Sequence, residues 1–195
     1  MRMIISGTGF WDAQSAHLFH GHSQPLVNWI ANYLEKDKQI YDFGCGTGQY
    51  LKRLSDAGFQ ELLGFEGDPP VQREFPHIVQ QDLTKSFILP KKGNVICLEV
   101  AEHIPAQFES TFLDNLANAC DGKLIMSWAV RGQGGDGHIN CLDNHEAIAK
   151  VSNKGFIYLA DESEAVRSTI DPIKNSIADG ELPWFKNTTL VFQKA

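Results

Sequence analysis

Apolar positions along this chain fall by turns into short unbroken runs and into sets spaced three or four residues apart, the signatures of buried strands and amphipathic helices. Residues 23–34 place Leu26, Ile30 and Leu34 on one helical face, with Ser23 as a candidate N-cap and Pro25 in the first turn. Ile40, Tyr41 and Phe43 then form a short apolar run that reads as a buried strand. Tyr50, Leu51 and Leu54 recur at helical spacing, up to a helix end near Gly58. Residues 61–65 and 76–79 read as a second and a short third strand, the latter leading into Gln81-Asp82-Leu83. A fourth strand covers 94–98 and is apolar after Asn94, as a strand covered on both faces should be. Further along come a helix over 108–119, a strand over 123–129, a helix over 144–153, and strands over 156–159 and 189–193. Strands alternating with helices predict an α/β fold: a doubly wound, mostly parallel seven-stranded sheet with helices on both faces. Residues 161–186 are less patterned. A helix fits 162–170, and Pro172, Gly180 and Pro183 break the remainder.

The turn after the first strand carries the strongest chemical signal. Asp42 is followed by glycines at alternate positions, Gly44, Gly46 and Gly48, with Cys45 between the first two. Glycine lets the backbone turn sharply and approach a ligand closely. The helix that follows turns its free N–H groups toward that ligand. Glu66 closes the next strand about 20 residues on, where an acid accepts hydrogen bonds from ribose hydroxyls. The dinucleotide fingerprint GxGxxG would need a third glycine where Gln49 stands, so the loop is GxGxG. DFGCGTG resembles motif I of class I S-adenosylmethionine (SAM) methyltransferases, and Glu66 matches their ribose-binding acid.

That resemblance implies SAM as cofactor and a last strand inserted antiparallel. Asp42 would face the cationic methionine part, which suits a sulfonium ligand and not a pyrophosphate. Asp82, with Leu83 beside it, would contact the adenine amino group, although an Asp capping the turn before Thr84 fits as well. Gly67 and Asp68 would lie near the ribose and the adenine edge, or Asp68-Pro69-Pro70 would form a turn.

Composition fits one domain over 1–195, with an N-terminal lid or helical segment over 1–38 and a catalytic core over 39–195. At 195 residues and 43% hydrophobic, the chain can bury a full core. No apolar stretch reaches membrane-spanning length, and MRMIISGTGFWD lacks a signal-peptide hydrophobic region. Cys45, Cys97, Cys120 and Cys141 show no CxxC spacing and suit reduced thiols in a cytoplasmic protein. A formal charge of -7 makes nucleic acid an unlikely partner, because phosphate binding needs a basic surface.

Two further segments should meet the same crevice, at the carboxyl ends of the strands. After the fourth strand comes Glu99-Val100-Ala101-Glu102-His103. Two carboxylates and an imidazole within one turn of backbone suit Mg²⁺ or Mn²⁺. ExxEH here looks like the ubiquinone-pathway O-methyltransferases and the small-RNA terminal 2′-O-methyltransferases. That resemblance implies Glu99, Glu102, His103 and a later histidine as metal ligands. Many other methyltransferases carry a similar sequence without a metal. In those, the first acid, here Glu99, can touch the cofactor, and the histidine serves as a base or only caps a helix. After the fifth strand, Arg131–Asn140 holds Gly132, Gly134, Gly135 and Gly137, a loop whose order should come from ligand or metal. His138 is the candidate for the later histidine, as ligand or general base, with His145 as its rival.

Leu98-Glu99-Val100-Ala101 does not resemble the NPPY-like tetrapeptide of amino-methyltransferases, and the acid, base and metal groups suit deprotonation of an alcohol. The expected reaction is therefore O-methylation, with Glu102, His103 and His138 as catalytic groups. Phe10, Trp11, His17, Phe19, His20 and His22 crowd the N-terminus as a candidate lid, and Trp184-Phe185 precedes the last strand. The GQGGxGHxN and WFKN stretches loosely resemble polysaccharide methyltransferases, which points to a small-molecule or sugar hydroxyl as acceptor. An RNA ribose 2′-O-methyltransferase and a non-catalytic SAM-binding regulatory subunit stand as alternatives. So short a chain leaves room for an oligomer or a larger enzyme assembly.

Overall fold

A computed structural model of the protein describes residues 5–13, 21–70, 72–176 and 179–195. Seven strands form one sheet: β1 (Ile40–Phe43), β2 (Leu62–Glu66), β3 (Ile78–Gln80), β4 (Gly93–Cys97), β5 (Cys120–Ser127), β6 (Phe156–Tyr158) and β7 (Thr189–Lys194). Their order is β3-β2-β1-β4-β5-β7-β6. β1 to β5 pair in parallel, whereas β7 runs antiparallel to both β5 and β6, as expected from the sequence. The helices are α1 (Gln24–Tyr33), α2 (Gln49–Asp56), α3 (Glu109–Ala119), α4 (Asn144–Ser152), α5 (Ala160–Ser168) and the short α6 (Phe185–Thr188).

The period-2 geometry of strands sorts the apolar side chains into two cores. Val95, Cys97, Leu124, Met126, Leu190 and Phe192 point to one face, where they meet Phe112 and Leu116 of α3 and Val151 of α4. Their neighbours Ile96, Ile125 and Val191 point to the other, against Ile30 of α1, Leu51 and Leu54 of α2 and Val166 of α5. A sheet buried on both faces explains why β4 reads as an unbroken apolar run. Ser23 caps α1, its hydroxyl accepting from the Leu26 amide, and a capping box joins Asp143 and Glu146 at the start of α4.

Several elements differ from the sequence expectation, some for local reasons. β3 begins at Ile78, not Pro76, because proline has no N–H to give the ladder. β5 begins at Cys120 and ends at Ser127, with a register shift opposite Gly93 and Val95 that the Asn94 side chain bridges by accepting the Lys123 amide. α6, which its short apolar spacing conceals, turns the chain into β7. Among the described residues, no helix is long and apolar enough to cross a membrane.

Candidate active site

The carboxyl ends of β1, β2, β4 and β5 open into one cavity of about 340 Å³. Its floor is the glycine loop. Gly44 and Gly48 have φ of 76° and 85°, where a side chain would be strained. A Cβ on Gly44 would collide with Val100, and one on Gly48 would lie 2.7 Å from the Phe75 Cβ. Gly48 therefore serves the turn into α2, while Asp42, Gly44, Cys45 and Gly46 line the cavity. Glu66 clamps the loop, accepting from the Gly46 amide at 2.8 Å and from the Gly67 amide at 2.7 Å. Burial raises the Glu66 carboxyl above its usual range, and the Gly46 and Gly67 amides oppose that rise.

Asp42 is buried, and its Oδ2 has no hydrogen-bond partner. Burial, with the Glu66 charge nearby, pushes its carboxyl up to about 8. A buried carboxylate oxygen without a hydrogen bond, on a residue that lines the cavity, is a place for a cation. Asp82 and Leu83 also line the cavity. Asp82 fulfils the turn reading at one oxygen, Oδ1, which accepts the Thr84 amide at 2.9 Å and the Thr84 hydroxyl at 2.6 Å. Asp68 departs from expectation. Its Oδ2 accepts the Ala13 amide, so it anchors the N-terminal segment and does not line the cavity.

Thr8, Gly9, Phe10 and Trp11 of that segment line the cavity. Phe10 packs directly on Gly67, and Trp11 meets His103 edge to face at 5.3 Å between ring centroids. His22 instead packs beside Tyr50 and bonds Gln49 and Gln24, away from the cavity wall. His17, Phe19 and His20 lie outside the described residues. Trp184 and Phe185 line the far wall.

The ExxEH residues do not act as one set. Glu99 has φ of 56°, the sole positive value at a non-glycine among the described residues. Its carboxylate lines the cavity and its Oε1 accepts from the Ser127 hydroxyl at 2.7 Å. Burial lifts this carboxyl to about 7, with Ser127 opposing. Glu102 is fully buried behind the cavity wall, and neither of its oxygens finds a hydrogen bond. Burial, then the Glu99 charge, raises it well above the carboxylate range. His103 Nδ1 donates to the Gly137 carbonyl at 3.1 Å. His138 Nε2 lies 3.9 Å from Glu102 Oε1, and the two imidazoles meet edge to face at 5.0 Å.

Potential ligand atoms of Glu102, His103 and His138 all lie within 4.8 Å of one another. Glu99 does not belong to this group, contrary to the four-ligand expectation. The rival His145 is exposed at the start of α4, where Asp143 supplies the cap. A buried carboxylate beside two imidazoles is a donor set that fits a divalent cation. Two nitrogens and one oxygen suit Mn²⁺ better than Mg²⁺, which prefers oxygen. Sequence reasoning missed Ser127, although the parallel register of Cys97 with Met126 places it beside the end of β4.

This sheet order, with a glycine loop after β1 and an acid closing β2, is the Rossmann-like fold of class I SAM-dependent methyltransferases. No protein-family model matches the chain. It is 29% identical over 131 residues to magnesium-protoporphyrin O-methyltransferase of Synechocystis sp., an alignment covering 58% of this chain and 56% of that protein's length. The crystal structure of the Synechocystis magnesium protoporphyrin IX methyltransferase with bound SAM superposes with a TM-score of 0.59 at 18% identity, over 87% of this chain and 76% of that one. A TehB-like SAM-dependent methyltransferase from Corynebacterium glutamicum gives a TM-score of 0.62 at 17% identity, with 93% of both chains covered. The sugar N-methyltransferase of Streptoalloteichus sp. gives 0.63 at 13%, over 88% of this chain and 87% of that one. At these identities the structural matches establish the fold alone.

Proposed function

We propose that this chain is a SAM-dependent methyltransferase that methylates a hydroxyl of a small molecule or glycan sugar. The observation that carries the reading is the joining, in one cavity, of the Asp42–Gly46–Glu66 end with His103 and His138 at the other. Glu66 would take the ribose hydroxyls. Asp42 would face the methionine ammonium and sulfonium, the cation its unpartnered oxygen lacks.

Methyl transfer is an in-line displacement: the acceptor oxygen bonds to the methyl carbon as the carbon–sulfur bond breaks, and the sulfonium leaves as a neutral thioether. Because that leaving group is already activated, positioning supplies much of the rate. The acceptor proton would pass to the His103 imidazole, whose ring is fixed by the Gly137 carbonyl. An amine attacks as the free base and sheds its proton afterwards. A hydroxyl benefits from a base at the moment of attack, which favours O-methylation. Glu102, His103 and His138 are the residues that would hold a divalent ion, and the ion would lower the pKa of the acceptor hydroxyl.

No lysine or arginine is among the described residues lining the cavity, and its walls carry Phe10, Trp11 and Trp184. Aromatic faces suit a sugar or planar ring, and the lack of cations disfavours RNA and other polyanions. All four cysteines are free, which fits a reducing, cytoplasmic setting.

Release of S-adenosylhomocysteine tests the reading with a panel of hydroxylated sugars, phenols, amines and RNA, each with Mn²⁺, with Mg²⁺ or with a chelator. Turnover of a hydroxyl acceptor is expected, and turnover of amines or RNA alone contradicts it. Loss of activity to the chelator and recovery with Mn²⁺ would favour the metal role, and full activity in chelator the base role. Cofactor binding should also depend on pH. Burial pushes the Asp42 and Glu99 carboxyls up to about 8 and about 7. Pairing with a cation stabilises their ionised forms, so binding releases protons and strengthens as pH rises from 6 to 7.5. Calorimetric titration at both pH values checks this; equal affinities would contradict it.

A further inference from the structure

We propose that Ser127 is a positioning residue, and that Glu99 is kept in a strained backbone conformation so that its carboxylate reaches the cationic end of the cofactor. The inference rests on the cavity being the SAM site. Every other positive φ among the described residues belongs to glycine, yet position 99 carries a glutamate at 56°. Such outliers persist where the surroundings over-determine them, and they cluster at functional sites. Here the surroundings are one hydroxyl. Ser127 Oγ accepts the Glu99 amide at 2.7 Å and donates to Glu99 Oε1 at 2.7 Å, so a single side chain fixes both the backbone and the carboxylate of one residue.

Ser127 is itself fully buried at the end of β5, so its hydroxyl is held in place by the sheet. Glu99 lines the same cavity as Asp42, and the charges of both bear on the Tyr50 hydroxyl. The two acids thus share the methionine end. The second Glu99 oxygen is then available to the ligand while Oε1 is committed to Ser127. The separation of Glu99 from Glu102, His103 and His138 follows from the same turn. The left-handed residue carries the backbone away from a continuous helical face, and only Ala101–His103 resumes helical geometry.

Glu99→Gly, Ser127→Ala and the double variant are compared by SAM titration and by thermal unfolding. Glycine accepts the left-handed conformation without strain. Glu99→Gly is therefore expected to melt about 2–4 °C higher, the shift for a gain of the size such strain represents in a chain of this length, and to bind SAM roughly tenfold more weakly. Ser127→Ala is expected to lose about the same affinity, and the double variant no more than either alone, because both changes remove one interaction. Losses that multiply in the double variant would overturn the proposal, as would wild-type affinity in Ser127→Ala or a lower melting temperature in Glu99→Gly. A wild-type protein that does not bind SAM would instead refute the site itself.

Discussion

Glu66→Ala is expected to weaken SAM binding by roughly 100-fold. The carboxylate sits at the end of β2 with each oxygen already accepting one amide, from Gly46 and from Gly67. Each oxygen has lone-pair capacity for one ribose hydroxyl more. Hydrogen bonds to a charged group contribute about 1.5–3 kcal/mol each, and 1.4 kcal/mol is a factor of ten, so losing one to two of them gives the stated magnitude. The same change releases the Gly46 and Gly67 amides, so the glycine loop loosens as well. Glu66→Gln keeps an acceptor oxygen and should fall between. Calorimetric titration measures both, and unchanged affinity in Glu66→Ala would remove Glu66 from the ribose site.

His103→Ala should lower the methyl-transfer rate roughly 10²–10⁴-fold, the usual contribution of a general base, and leave SAM affinity within a few-fold of wild type. The contrast follows from position. His103 lines the cavity beside His138, whereas the cofactor contacts proposed above fall to Asp42, the glycine loop and Glu66. Its ring is fixed from two sides, by the Gly137 carbonyl and by the edge of Trp11. Single-turnover rates measured at saturating SAM separate the two effects. An active variant would end the catalytic assignment.

The glycine loop and the acid that clamps it were legible in the sequence because geometry forces their residue types. Gly44 must avoid Val100 and Gly48 must pass Phe75, so those positions admit little else, and an acid twenty residues on can clamp the loop only at the end of the neighbouring strand. The acceptor end was harder to read. ExxEH implies three side chains on one helical face, and a left-handed residue at Glu99 breaks that face, sending Glu99 to Ser127 and Glu102 into the interior. No propensity marks a glutamate for positive φ, so the spacing misled about Glu99. Asp68 shows another limit of local sequence: its partner is a backbone amide of the N-terminal segment, at Ala13, and local sequence carries no trace of so distant a contact. Trp184 and Phe185 were marked in the sequence only by their place before the last strand. They pack, Phe185 being buried, and they also form a wall of the cavity because α6 turns there.

Thermal unfolding with SAM, with NAD as the control ligand, tests the central claim most directly. A ligand that binds only the native state adds about 2.7 kcal/mol at 100 times its dissociation constant, a rise of roughly 5–10 °C for a chain of this length. SAM is expected to produce that rise, and NAD, whose pyrophosphate would meet Asp42 beside the glycine loop, none. No shift at saturating SAM, or a shift with NAD in its place, would contradict the account.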